Sequence, residues 1–311
     1  GIGNEQVPTN AMLGGLAYQD PAHANLTSVE IEKIAAIKAK TADTAVDVFV
    51  YDTRKDSDGG AWRHRTQNTS WYNEGASATR GARKEFPAVA VIVATTDTYT
   101  IYDGDDPNMS MWMVFESDAS SAARVARSGT SAITMMNGLM CAVRSGSQRG
   151  AGLASFIDDT GYQISNSGKY LNIGGSDGLI NRNVTGGWTG INPTYAVTGN
   201  GTMYDVAMIV RPNAPIDETT GLPIPTIAIA TNVGASIIQD NGFTIDKGTS
   251  GAIAYKIAWM GPNRLVFVAP QYYGIFNDPL SHEASSYISS ISHSNYIHSN
   301  ITTHDWMNYP A

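Results

Sequence analysis

An eleven-residue phrase is written twice in this chain, and it constrains the fold more than any other feature. Ala154-Ser155-Phe156-Ile157-Asp158-Asp159-Thr160-Gly161-Tyr162-Gln163-Ile164 returns as Ala235-Ser236-Ile237-Ile238-Gln239-Asp240-Asn241-Gly242-Phe243-Thr244-Ile245. Six of the eleven positions are identical, and Tyr162/Phe243 exchanges one aromatic ring for another. The close of the phrase returns at Ile275-Phe276-Asn277-Asp278, with a looser echo at Ile101-Tyr102-Asp103-Gly104. Asp159 and Asp240 are 81 residues apart and Asp240 and Asp278 are 38 apart. Those steps read as two units and one unit of roughly 40 residues, the length of a propeller blade. The 56 residues from Asp103 to Asp159 need an insertion to fit. Within the phrase, Asp can accept backbone hydrogen bonds at the turn and Gly tolerates positive φ. Hairpins of this kind leave a face free for a neighbour, and blades arranged about an axis bury such faces while keeping sheet edges short. The expected fold is all-β, with propeller-like blades of short antiparallel strands.

Composition agrees. Charged residues are only 15% of the chain, against 42% hydrophobic, and 31 glycines and 13 prolines punctuate the apolar runs. Many short strands joined by tight turns have this signature. The net charge of −8 is spread out, which argues against nucleic acid as a partner. Cys141 is the single cysteine, so an intrachain disulfide and a cysteine-rich zinc site are excluded; within its apolar run it reads as a small buried hydrophobe. No apolar run reaches the roughly 18 residues that would cross a bilayer as a helix, and no membrane insertion is expected. Gly1-Ile2-Gly3-Asn4 carries neither an initiator Met nor a signal-peptide pattern, so the chain is expected to be a processed product or a segment of something longer.

Three regions follow along the chain. Residues 1–44 comprise an extended segment and then a helix over Thr27–Lys40, with Thr27 and Glu30 as a capping box and Val29, Ile31, Ile34, Ala35 and Ile37 as its apolar stripe. A helix this short is marginal alone, so it should pack on a domain or on copies of itself. Residues 45–118 read as a β domain or first blades, in which Trp62, Trp71 and Trp112 lie in strand patterns and belong to the core. Residues 119–311 read as repeated blades, and Asn137-Gly138 suits a type I′ hairpin turn.

Motifs with specific catalytic spacing are missing. There is no nucleophile elbow and no phosphate-cradling Gly-Lys-Ser/Thr loop, and no cofactor is expected. Asp52, Asp56 and Asp58 lack the bidentate Glu and flanking helices of a calcium loop; an acidic turn is the better reading, as it is for Asp103, Asp105 and Asp106. Asp158 and Asp159 would point to opposite faces of a strand, which is poor evidence for a carboxylate pair. His282, His293, His298 and His304 match no standard ligand spacing and read as solvated polar surface. Trp188, set among glycines, and Tyr272-Tyr273, at a strand end, are the candidate ligand contacts, because aromatic faces in loops can stack on sugar rings.

Two stretches carry a family resemblance. Met12-Leu13-Gly14-Gly15-Leu16-Ala17-Tyr18-Gln19-Asp20 resembles a Leu-Gly-x-x-Ala-Tyr-Gln-x segment recurring in bacteriophage tail-fibre and tailspike proteins. The block from Ala45-Val46-Asp47-Val48-Phe49-Val50-Tyr51 through Asp58-Gly59-Gly60-Ala61-Trp62-Arg63, Ser70-Trp71-Tyr72 and Arg83-Lys84-Glu85-Phe86-Pro87 is similar to virion structural proteins of marine and cyanobacterial phages. Together they span about the first third of the chain. The resemblance implies a tail-fibre or receptor-binding protein of the virion, acting outside the cell. It further implies attachment to other tail proteins, a homo-oligomer with a trimer favoured, and non-catalytic contact with host surface polysaccharide. A polysaccharide-degrading tailspike and a purely structural tail-tube or nozzle component are the alternatives. The resemblance carries over no catalytic residue.

Overall fold

The computed structural model describes residues 45–117, 125–145, 150–165, 168–172, 178–184, 188–192, 202–247, 253–269, 273–277 and 279–280. The expected helix over 27–40 and the His-rich end lie outside them. Four antiparallel meanders follow one another. The first sheet is β1 (Asp47–Asp52), β2 (Val89–Ala94), β3 (Thr98–Asp103) and β4 (Met111–Glu116). The second is β5 (Thr130–Met136), β6 (Leu139–Arg144), β7 (Ala151–Ser155), β8 (Thr160–Ser165), β9 (Gly168–Asn172) and β10 (Trp188–Asn192). The third is β11 (Met203–Ile209), β12 (Thr226–Thr231), β13 (Gly234–Ile238) and β14 (Thr244–Lys247). The fourth is β15 (Lys256–Trp259), β16 (Arg264–Val268) and β17 (Tyr273–Asn277).

The sheets stack face to face because their strands are apolar on both sides. Side chains alternate across a strand, so consecutive residues serve different interfaces. On β6, Met140 and Ala142 enter a core shared with the first sheet, while Cys141 and Val143 enter one shared with the third. On β12, Ile227 and Ile229 face the second sheet, and Ala228 and Ala230 face the fourth. First strands also pack together in succession: β1 on β5, β5 on β11, β11 on β15. The result is all-β and propeller-like, with each sheet a blade.

Each copy or echo of the repeated phrase marks the end of a third strand. Asp103 closes β3, Asp158-Asp159 follow β7, Gln239-Asp240 follow β13, and Asn277 closes β17. The spacing inference is therefore corrected. The steps of 56, 81 and 38 residues are each one sheet, and the long one is filled in part by β9 and β10, which extend the second sheet.

The insertion between β1 and β2 also departs from expectation. Trp62 lies on a 3-10 turn (Ala61–Arg65) and Trp71 on a single helical turn (Ser70–Asn73), neither on a strand. Both are nevertheless fully buried, as is Trp112 on β4. Phe86 and Phe156 complete this aromatic cluster, Phe86 lying 4.8 Å from Trp112 and 5.0 Å from Phe156 between ring centroids. The Asn137-Gly138 turn forms as expected, with φ of 49° and 72° and Met136 paired to Leu139.

Candidate functional site

The first strands carry polar residues that alternation turns toward the neighbouring blade. Asp47 on β1 accepts the Ile133 N–H of β5 at 2.8 Å. Ser131 on β5 donates to the Met203 carbonyl of β11 at 2.8 Å. Asp205 on β11 accepts the Ile257 N–H of β15 at 3.0 Å. A hydrogen bond from first strand to first strand thus joins each blade to the next. Lys256 Nζ lies 3.6 Å from Asp205 Oδ1. Burial holds the Asp47 and Asp205 carboxyls above the usual carboxylate range, Lys256 draws both back, and Asp47 raises Asp205 further. Chemically this is a shared-charge cluster whose oxygens are engaged in joining blades. Local pattern alone does not single this cluster out, although a signal exists: both carboxylates open an Asp-Val pair on a first strand, and both lie opposite an alanine, Ala94 and Ala230.

The acidic loop Asp52–Asp58 is a fastening point. Burial pushes the Asp56 carboxyl up, and three donors hold it. Tyr51 Oη donates to Asp56 Oδ2, Trp62 Nε1 donates to the same oxygen at 2.8 Å, and the Asn137 N–H donates to Oδ1 at 2.9 Å. The Gly138 N–H donates to Tyr51 Oη at 2.9 Å, closing the network. The insertion is thereby clamped onto the β5–β6 turn. Asp52 instead pairs with Arg54, and Asp58 with Arg65. Asp103 and Asp105 both bind Arg83, at 2.8 and 2.9 Å.

Glu74, Arg80 and Arg182 form a second network that the sequence did not single out. Both arginines are buried. Arg182 makes a two-point contact with Glu74 at 2.6 and 3.1 Å, and Arg80 lies 4.5 Å over the Trp112 ring. Burial lowers the Arg80 pKa to about 10.

Asp158 and Asp159 sit in the β7–β8 turn, not on a strand. Asp158 accepts from Tyr162 Oη at 2.9 Å. Asp159 accepts from Ser70 Oγ at 2.9 Å and the Leu179 N–H at 2.7 Å. Cys141 is buried, its thiol pushed up to about 12, which suits an inert core residue. Among the described residues no group of three or more His, Cys, Asp or Glu side chains is placed to hold a metal ion.

Of the candidate ligand contacts, Trp188 opens β10 opposite Asn172, so its backbone is in a strand and not in the expected loop. Tyr273 opens β17 opposite Val268. Tyr272 lies outside the described residues. β10 and β17 are the last strands of two different sheets.

No protein-family model and no curated protein matches the chain. Solved structures give distant likenesses. Hsv2 of Kluyvelomyces marxianus is 10% identical over 60% of this chain and 46% of that one, with a TM-score of 0.32. A protein of unknown function from Bacteroides caccae is 7% identical over 65% and 57%, TM-score 0.35. A functionally unknown protein from Desulfotomaculum acetoxidans is 9% identical over 66% and 67%, TM-score 0.38. This chain thus spans about half the length of the first two. The propeller-like description rests on its own sheet order, face-to-face cores and inter-blade hydrogen bonds.

Proposed function

We propose that the chain is a tail-fibre protein of a phage virion, a non-catalytic receptor-binding subunit that meets host surface glycans outside the cell. The observation carrying this reading is the pair of N-terminal motifs, at residues 12–20 and 45–87, that resemble tail-fibre and virion structural proteins. The chemistry of the blades supports a binder. Asp47 and Asp205 spend oxygens on N–H donors of the next blade, which is scaffolding work. Trp188 and Tyr273 stand on the outermost strands of their sheets, where a blade meets its surroundings. The fibre assembles as a homo-oligomer, a trimer, joined to other tail proteins through the N-terminal segment.

The test is incubation of the full chain with host envelope polysaccharide, scoring binding and product release together. Binding without cleavage is expected, with Trp188→Ala weakening it about tenfold, the loss of one aromatic anchor. Release of defined oligosaccharides would make the protein a tailspike depolymerase. No binding at all, with an intact homo-oligomer, would make it a structural tail component.

A further inference from the structure

Arg63, Arg80, Arg83 and Arg182 each face a carboxylate: Glu85, Glu74, the Asp103–Asp105 pair, and Glu74 again. Arg127 is different. It is only 7% exposed, yet among the described residues its guanidinium has neither an ion-pairing acid nor a hydrogen-bond acceptor. Arg144, 4% exposed, lies within electrostatic reach of it. Burial first, and then the Arg127 charge, lower the Arg144 pKa to about 9. Arg144 has other contacts of its own, while its buried Nε makes no hydrogen bond. Thr130 gathers these groups. It sits opposite Arg144 in the β5–β6 register, and its Oγ1 donates to the Arg127 carbonyl at 3.1 Å and lies 3.1 Å from Tyr99 Oη. Tyr99 belongs to β3 of the first sheet, Arg144 closes β6 of the second, and Arg127 lies on the crossover from β4 to β5. Two guanidiniums and two hydroxyls are therefore brought to the place where the first blade passes into the second.

We infer that Arg127 and Arg144 hold a small inorganic oxyanion, phosphate or sulfate, as a pin between the first and second blades. A buried guanidinium without a carboxylate is costly, and a like charge beside it adds to the cost. One doubly charged oxyanion offsets both. It matches the two positive charges, and its oxygens accept the forked N–H pairs that a guanidinium presents. The low exposure of both arginines suits a small ion rather than the body of a larger ligand. The Tyr99 and Thr130 hydroxyls stand beside it as further donors.

Calorimetric titration of the full chain, dialysed into chloride buffer, with sodium phosphate and separately with sodium sulfate tests it. One saturable site per chain is expected for at least one dianion, and none for sodium chloride at equal ionic strength. The tighter of the two identifies the preferred ion. Arg127→Lys keeps the charge and most of the packing but loses the fork. It should weaken binding about tenfold, the loss of one charge-assisted hydrogen bond. Arg54→Gln, at an exposed arginine, should leave the affinity unchanged. Thermal midpoints give a second readout. Both dianions raise the midpoint of proteins in general through exclusion from their surface, so the decisive quantity is the extra, saturating shift of the native chain over Arg127→Lys. Failure of the native chain to bind either dianion saturably overturns the inference, and so does an affinity that Arg127→Lys leaves unchanged.

Discussion

The two copies of the repeated phrase share six of eleven residues and both make a hairpin, yet the hairpins differ in register. In the first, Ala154 pairs with Gly161. In the second, the matching Ala235 pairs with Lys247, well past the matching Gly242. The turn has moved. β7 stops at Ser155, Phe156 leaves the ladder, and Asp159 takes a positive φ of 56°. β13 runs on through Ile238, and the positive φ falls on Gly242, at 83°.

The cause is tertiary. Phe156 is held at both backbone ends, its N–H on the Gly138 carbonyl at 2.9 Å and its carbonyl on Trp71 Nε1 at 2.9 Å. Its ring packs edge-on against Trp71, Phe86 and Phe115. The matching Ile237 has an ordinary strand position in the core facing the fourth sheet. A hairpin phrase therefore specifies that the chain will reverse, while a neighbouring aromatic pocket decides where. The side chains follow: Tyr162 lies on a strand with its hydroxyl on Asp158, whereas Phe243 lies on the turn, 57% exposed, and the carboxylate partner has become Gln239.

The largest difference between the two hairpins should appear when an aromatic ring is removed from each. Phe156→Ala should cost about 3–5 kcal/mol of unfolding free energy, transfer and cavity together, and Phe243→Ala should stay within about 0.5 kcal/mol. Equal shifts in the urea midpoint would refute a pocket-driven register. Next come the paired aspartates. Asp159→Ala strands the Ser70 and Leu179 donors and should cost roughly 1–3 kcal/mol; Asp240→Ala should change the thermal midpoint little. Least of all, Tyr162→Phe should cost about 1 kcal/mol, the net value of one hydrogen bond. The reciprocal Phe243→Tyr should gain nothing measurable by calorimetry, since Gln239 is no carboxylate; a stabilisation matching the first loss would mean that both turns place the ring alike.

These contrasts show what the sequence made legible. The repeat, the Asn137-Gly138 turn and buried Cys141 could be read directly, because strand alternation and turn chemistry act over a few residues. The burial of Trp62, Trp71 and Trp112 was legible too, but the secondary structure of the first two was not. Their local pattern resembles a strand, and the clamps formed by Asp56 on Asn137 and Asp159 on Ser70 come from far along the chain. For the same reason Asp47 and Asp205 read only as polar members of alternating strands; what gives them meaning is the adjacency of first strands in space. Trp188 and Tyr272-Tyr273 rested on the chemistry of aromatic rings, which names a kind of partner but not a place.

The insertion between β1 and β2 has a consequence for the order in which the protein can be completed during synthesis. Asp56 meets Asn137 across 81 positions, Trp71 meets Phe156 across 85, and Arg182 meets Glu74 across 108. A ribosome that has made only the first sheet has therefore released an insertion whose Asp56, Trp71 and Glu74 still lack the Asn137, Phe156 and Arg182 groups that hold them. Until the chain has grown to Arg182, that nascent surface stays wet and adhesive, and pausing before this point should favour misassociation over folding.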